Sequence, residues 1–196
     1  MQLYGLSLVI MSITNDVVLK SGRLKLRLID AFDLEHIHAL NCIAEVDHYN
    51  TLGIPTNLDE TKSIFTSLIN DNSLDKKTKY TFAIENRKNH TFMGMFGFNL
   101  DREKYQSGEI WYKLRPEFWG QGYATEAVEL VIGFGFNDLK LHRIHAGCAV
   151  ENIGSIRVLE KIGMRQEGRA LKTLPLKTGW SDHFNYALLR DEYKNR

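Results

Sequence analysis

Cysteine is scarce in this chain: Cys42 and Cys148 are the only two. They are too few for a disulfide framework and lack any metal-ligand spacing, and they read as buried thiols of a reducing cytoplasm. Net charge is nearly absent too. Lys and Arg number 25 against 24 Asp and Glu, a formal balance of +1, so no field draws the chain toward nucleic acid or an anionic membrane. Long apolar runs are missing: Leu3 to Ile13 falls well short of the ~20 residues that span a bilayer. No Lys or Arg precedes that run and no small-residue cleavage site follows it, which argues against a secretory signal. Residues 1–16 are therefore expected to lie outside a single domain formed by 17–196, with Met11 as a second candidate start and a cytoplasmic location. No repeat and no low-complexity segment divides the chain.

What is present suits a proper core, with 43% hydrophobic residues and 11% aromatics. Leu24, Leu26 and Leu28 alternate with charged neighbours, predicting one strand within Val17 to Ile29. Asp30 and Asp33 bracket a helix start as a capping box, and Leu34, Ile37, Leu40 and Ile43 or Ala44 recur at helical spacing. His36 and His38 on that helix read as rim histidines without a ligand role. Asn57, with Glu60 three residues on, caps a second helix through Ile64, Phe65, Leu68 and Ile69, and Asp71 to Lys79 reads as a loop. Tyr80 to Ile84, Phe92 to Asn99 and the strand at Glu109 predict an antiparallel meander. Gly94 and Gly97 in its second strand imply a bulge or a close backbone neighbour. Later elements are a helix from Tyr123 to about Phe136, a strand over His142 to Val150, and a helix from Asn152 to Lys161 ended by Gly163. Two closing strands, Met164 to Glu167 and His183 to Leu189, are joined by a polar connection with Pro175 and Gly179.

The chemistry concentrates between Glu109 and Glu126. Ile110, Tyr112 and Leu114 alternate with Glu109, Trp111 and Lys113, the period of a strand, and Pro116 should end it. Gly120-Gln121-Gly122 follows, and then a helix at once. Strand, glycine turn and helix aim unpaired backbone N–H groups and the positive end of the helix dipole at an anion. A pyrophosphate is the natural occupant. The glycine spacing is a poor dinucleotide fingerprint, because Thr125 stands at the third position and the turn follows a meander. No Gly-Lys-Ser/Thr follows, so it is not a Walker loop.

The run from Arg115 to Ala127 resembles the acetyl-CoA-binding signature of the GNAT N-acetyltransferase superfamily, most nearly the branch of ribosomal-protein N-terminal alanine and serine acetyltransferases. Asn152-Ile-Gly-Ser155 and Glu160-Lys-Ile-Gly163-Met164 resemble further family patterns, with Met164 for the usual Phe. Trp119 stands where many members have Gln or Arg, which that branch tolerates. The resemblance covers about residues 20 to 193. It implies an α+β fold: a mixed, mostly antiparallel sheet in which the fourth and fifth strands run parallel and splay apart, with helices on both faces.

It also implies direct transfer of an acetyl group from acetyl-CoA to a primary amine, with no covalent enzyme intermediate and no metal. The backbone of Tyr112 and Leu114 would bond the pantetheine arm, and N–H groups of Trp119, Gly120, Gln121, Gly122, Tyr123, Ala124 and Thr125 would hold the pyrophosphate. Asn152 would orient the cofactor or a water. Ser155 would lie near the sulfur as a proton donor, or serve only as a first-turn helix serine. Glu109 is the candidate base, directly or through water, or a solvent-facing strand residue. Glu126 reads as structural at a helix start, and His145 as a satisfied sheet histidine.

Branch resemblance favours a protein N-terminal α-amine as acceptor. An α-amine with a pKa near 8 is about 10% neutral at pH 7, a lysine below roughly 0.1%. The alternatives are a polyamine or aminoglycoside acceptor, or an acetyl-CoA-binding protein without catalysis. A homodimer is compatible with this reading.

Overall fold

In the computed structural model, which describes residues 17–194, the chain first pairs with itself. Val18–Lys20 (β1) turns back onto Leu24–Leu28 (β2) in antiparallel register. The single strand expected across this segment is thus a hairpin. Ser21 breaks the run: its N–H bonds the Leu24 carbonyl at 3.0 Å, and its hydroxyl accepts from the Leu24 N–H at 3.0 Å.

Asp30 and Asp33 form the expected capping box, but around a 3-10 turn over Ala31–Asp33. Leu34–Asn41 (α1) follows, and Ala44 opens a separate short helix, Ala44–Asp47 (α2). Leu58–Asn72 (α3) is capped by the Asn57 side chain, which accepts from the Glu60 N–H at 2.9 Å. The meander is Lys79–Asn86 (β3), Phe92–Leu100 (β4) and Ser107–Leu114 (β5). Then come Tyr123–Asn137 (α4), Arg143–Ala149 (β6), Ile153–Lys161 (α5), Arg165–Leu176 (β7), Gly179–Leu189 (β8) and Arg190–Lys194 (α6).

Among the described residues one eight-stranded sheet results, in the order β1-β2-β3-β4-β5-β6-β8-β7, and there only β5–β6 is parallel. The expected mixed α+β architecture holds, and the hairpin at the start moves the expected fourth and fifth strands to β5 and β6. The two closing strands are much longer than expected, and the polar connection is their own hairpin. As the edge strand, β7 needs no buried alternating face, and an edge tolerates Pro175.

Helices cover both faces. On one, Phe82, Phe96, Phe98 and Ile110 pack against Val128, Val131 and Ile132 of α4 and Leu159 of α5. On the other, Ala83, Met95 and Trp111 meet Ile37 and Leu40 of α1 and Phe65 of α3. No helix among the described residues is long and apolar enough to cross a membrane. The segment expected to be peripheral, 1–16, lies outside the described residues.

Candidate active site

The two central strands begin together and separate. Pairing between β5 and β6 is confined to Ser107↔Arg143, Gly108↔Ile144 and Glu109↔His145. Beyond that, β5 follows β4 to Leu114 while β6 follows β8 to Ala149. Gly94 and Gly97 let β5 lie close on β4. A Cβ on Gly94 would overlap the Lys113 carbonyl, and one on Gly97 the Trp111 indole. Gly94 has both a close neighbour and an irregularity, since the β3–β4 register shifts between its partner Ile84 and Glu85, whereas Gly97 has the close neighbour alone.

Hydrogen-bond alternation decides what faces the gap. Arg115 N–H bonds the Met93 carbonyl and Asp101 N–H the Ser107 carbonyl, each at 2.9 Å. Odd-numbered residues of β5 therefore bond toward β4, and Ile110, Tyr112 and Leu114 turn their backbone groups toward the gap. One of these is already engaged: the Trp119 indole N–H donates to the Leu114 carbonyl at 2.8 Å.

The glycine turn sits beyond the end of β5. Gly120 and Gly122 have φ of 71° and 80°, left-handed values that a glycine adopts without strain. Gly122 is also the N-cap of α4, so no side chain competes for the first N–H groups. The turn is braced from outside. Arg23 Nη1 donates to the Gln121 carbonyl at 3.0 Å, its guanidinium lies 4.3 Å from the Tyr123 ring centroid, and Gln121 Nε2 donates to the Glu117 carbonyl at 2.7 Å. Glu126 accepts from the Ser21 hydroxyl and from Arg23 Nε at 2.7 Å. Partial burial works against its charge, but these bonds prevail and hold its carboxyl below the usual range.

Across the gap, the Asn152 side chain caps α5 by accepting from the Ser155 N–H at 3.1 Å. Its oxygen is thereby committed, leaving its amide N–H groups for other partners. The Ser155 hydroxyl lies beside the buried Tyr112 hydroxyl. Burial pushes the Tyr112 phenol well above its ordinary range, and pushes the nearby Cys148 thiol up to about 11.

Glu109 lies on the opposite side of the sheet. It is exposed, at the last paired position before the strands part. Its neighbour His145 is satisfied, with Nε2 3.1 Å from Asp101 Oδ2, and Ser107 donates to that same oxygen at 2.5 Å. The candidate base and the candidate proton donor thus occupy different faces of one gap.

That face holds residues that sequence reasoning missed. Lys113 Nζ donates to Asn41 Oδ1 at 2.7 Å, and burial lowers its amine to about 8 despite the charge of Asp47. Asp47 lines a cleft of about 420 Å³ with Asn50 to Ile54 and Pro175 to Lys177. Tyr49 bridges onward, donating to the Glu151 carbonyl just before α5 at 2.9 Å. The available signal was Lys113 itself, a charged residue in a strand covered on both sides. Cys42 corrects the expectation of a buried thiol: it is exposed, with Sγ 3.6 Å from His38 Nε2. Among the described residues no group of three or more His, Cys, Asp or Glu could hold a metal ion.

The model of the Acetyltransferase (GNAT) domain matches residues 23–165. Among curated relatives, the probable N-acetyltransferase YjcK of Bacillus subtilis is 39% identical over 120 residues, 61% of this chain and 66% of that protein. The uncharacterized N-acetyltransferase p20 of Bacillus licheniformis is 30% identical over 89% of this chain and 97% of its own length. The chain spans only half of another B. subtilis relative, YnaD, and 52% of the putative ribosomal N-acetyltransferase YdaF, to which it is 35% identical over 96 residues. The crystal structure of a GNAT-family acetyltransferase from Bacillus anthracis superposes with a TM-score of 0.79 at 30% identity, covering 90% of this chain and all of that one. Spermidine N-acetyltransferase from Vibrio cholerae, solved with CoA and spermine, shares the fold with a TM-score of 0.79 at 24% identity, covering 89% of this chain and 100% of that one.

Proposed function

Because the chain belongs to the GNAT acetyltransferase family, a family that uses acetyl-CoA, we propose that it transfers an acetyl group from acetyl-CoA directly to a primary amine. The N-acetyltransferase class expected from the sequence is that family's. One observation carries the site assignment: the gap between β5 and β6 opens toward an uncapped helix N-terminus reached through Gly120-Gln121-Gly122.

In this reading the pantetheine arm occupies the gap as a substitute strand. The Tyr112 backbone and the Leu114 N–H bond its amides, since the Leu114 carbonyl already serves Trp119. The pyrophosphate rests on the N–H groups from Trp119 through Thr125, where the helix field supplies the positive charge. Asn152 orients the cofactor through its amide N–H groups, and Ser155 faces the sulfur. The acceptor enters on the Glu109 face of the sheet, where Glu109 removes the amine proton directly or through water.

A protein N-terminal α-amine is the first acceptor proposed, because it is partly neutral at pH 7 and asks little of the base. The similarity to the putative ribosomal enzyme YdaF supports it, over about half the chain. A polyamine is the second. A relative named spermidine N(1)-acetyltransferase, from Vibrio cholerae, supports that choice over 90% of the chain at 24% identity.

The test is calorimetric titration with acetyl-CoA, followed by thiol release over a panel of N-terminal peptides and polyamines. Release with one class identifies the acceptor. Binding without release on any acceptor would leave a CoA-binding protein without catalysis, and absence of binding would reduce the glycine turn to a turn.

A further inference from the structure

The Glu109 face of the sheet continues into a polar cavity. Ile144, Ala146 and Cys148 of β6 and Tyr186 and Leu188 of β8 join the core under α4 and α5. Their neighbours His145, Gly147 and Asn185 therefore turn to the opposite face. A cavity of about 290 Å³ opens there between Arg143, His145, Glu167, Gly168 and Asn185. It adjoins the candidate base, because His145 is the register partner of Glu109, one strand spacing of about 4.8 Å away.

Partner chemistry decides which atoms remain for a ligand. The Asp101 carboxylate only accepts, so its 3.1 Å contact puts a proton on His145 Nε2 and leaves Nδ1 of the neutral ring as an acceptor. Nδ1 has no partner among the described residues. Asn185 Oδ1 accepts from His183 Nε2 at 2.8 Å, and His183 Nδ1 meets Thr173 Oγ1 at 2.7 Å. The amide N–H groups of Asn185 are thus free among the described residues. Charges nearby are already matched. Glu167 takes two bonds from Arg143, at 2.8 and 2.6 Å, and Asp101 is shared by Ser107 and His145. Of these carboxylates and Glu109, only Glu109 lacks a partner among the described residues. One unmatched carboxylate, one acceptor and one set of donors suit a single ammonium followed by an amide.

We propose that this cavity reads the first peptide group of the acceptor. The peptide carbonyl accepts from the Asn185 amide, the peptide N–H donates to His145 Nδ1, and the α-amine lies at Glu109. The inference rests on the reading of Glu109 as the base beside the acetyl-CoA gap, and it makes the acceptor a peptide. The spacing agrees. The first amide begins within one residue of the α-amine, about 3.8 Å between successive Cα atoms, close to the step from Glu109 to His145. Asn185 lies diagonally across the β6–β8 ladder from His145, about 7–8 Å away, so the two side chains can reach opposite ends of one amide. Spermidine has no carbonyl to accept from Asn185. Its further ammonium groups would find Glu167 and Asp101 already bonded.

The test compares three acceptors: an N-terminal tetrapeptide, the same peptide with its first amide replaced by an ester, and spermidine. The ester keeps a carbonyl and removes the N–H that His145 would receive. Transfer is followed by thiol release, and acetyl-CoA binding by calorimetry. In the wild type the amide should exceed the ester roughly 2- to 10-fold in kcat/KM, the scale of one hydrogen bond. His145→Ala should erase that preference. His145→Asn, whose side-chain oxygen stands near the place of Nδ1, should keep it. Asn185→Ala should raise KM for both peptides by a similar factor, and so lower the ratio of peptide to spermidine turnover. A merely structural role would depress every acceptor alike. Should the variants fold poorly, the amide–ester comparison in the wild type still decides. Equal rates on amide and ester, an amide preference that survives His145→Ala, or a wild type that acetylates spermidine and no peptide would each overturn the inference and leave the transferase reading intact. Failure of the wild type to bind acetyl-CoA overturns both.

Discussion

Arg23 and Glu126 are 103 positions apart and meet in a two-nitrogen contact, with Nε 2.7 Å and Nη2 2.6 Å from Oε2. This pair joins the start of β2 to the first turn of α4, and the same guanidinium holds the Gln121 carbonyl. The glycine turn is thus fixed by a residue remote from it in sequence. Arg23→Ala should raise the KM for acetyl-CoA about 3- to 5-fold, on the scale of helix-terminus electrostatics. It should also lower Tm by about 2–4 °C at pH 7. The sign of its pH dependence follows from Glu126. A carboxyl held below its usual range lends stability above the unfolded value and loses it as pH falls through the folded one. Thermal melts of wild type and Arg23→Ala should therefore converge as pH drops below about 4.

Gly97 has a different job from the glycines of the turn. Its missing side chain leaves the space that the Trp111 indole fills, and Trp111 joins the cluster under α1 and α3. Gly97→Ala should destabilise the protein by about 1–3 kcal/mol through overpacking, read as a clear loss in denaturant midpoint. Gly122→Ala should behave otherwise. No backbone crowds that position, but a side chain at φ 80° is strained. Its stability loss should be smaller, and its loss of acetyl-CoA affinity larger, than that of Gly97→Ala. The reverse ranking would detach the turn from cofactor binding.

Features written in short segments were legible without the structure. The alternation at Ile110, Tyr112 and Leu114, the Gly120–Gly122 turn, the Asn57 cap and the Gly163 stop each depend on neighbours within a few residues. The β1–β2 hairpin was lost because Ser21-Gly22 is a slight interruption in an otherwise strand-like run. The length of β7 was hidden because an edge strand buries no continuous apolar face. Nothing local couples Arg23 to Glu126, or sets Lys113 beside Asn41 and Asp47, since those contacts exist only after the sheet and helices assemble. Tyr112 was identified through its backbone.

Lys113 gives the basic side of the pH dependence. Burial lowers its folded value to about 8 from an ordinary value of 10.5. Between those two values the unfolded chain binds more protons than the folded one, so stability rises as pH increases through that window. At neutral pH the charged amine is buried at a penalty. Lys113→Met removes that penalty together with the bond to Asn41. Relative to wild type it should gain most, or lose least, near pH 7, and the difference should swing toward wild type by pH 10. Parallel melts of both proteins from pH 7 to 10 that stay equally spaced would contradict the assigned burial effect.

Glu109→Gln separates the base from its scaffold, because the amide keeps the shape and the exposed strand position while losing proton affinity. If Glu109 takes the amine proton, kcat/KM should fall about 100-fold or more at pH 7, the scale of general-base catalysis, with acetyl-CoA affinity unchanged. The loss should also depend on the acceptor. A peptide α-amine is about 10% neutral at pH 7, so much of it arrives without its extra proton, whereas an alkyl amine of lysine-like pKa is below roughly 0.1%. The variant should consequently retain more activity toward peptides than toward spermidine. Raising the pH should narrow its deficit for both, because the solvent then performs the deprotonation. A pH–rate profile for each acceptor, run on both proteins, distinguishes a base from a mere binding residue. A carboxylate that only attracts the ammonium form would also lose its advantage as the amine loses charge, but the variant's deficit would then be carried in KM rather than kcat.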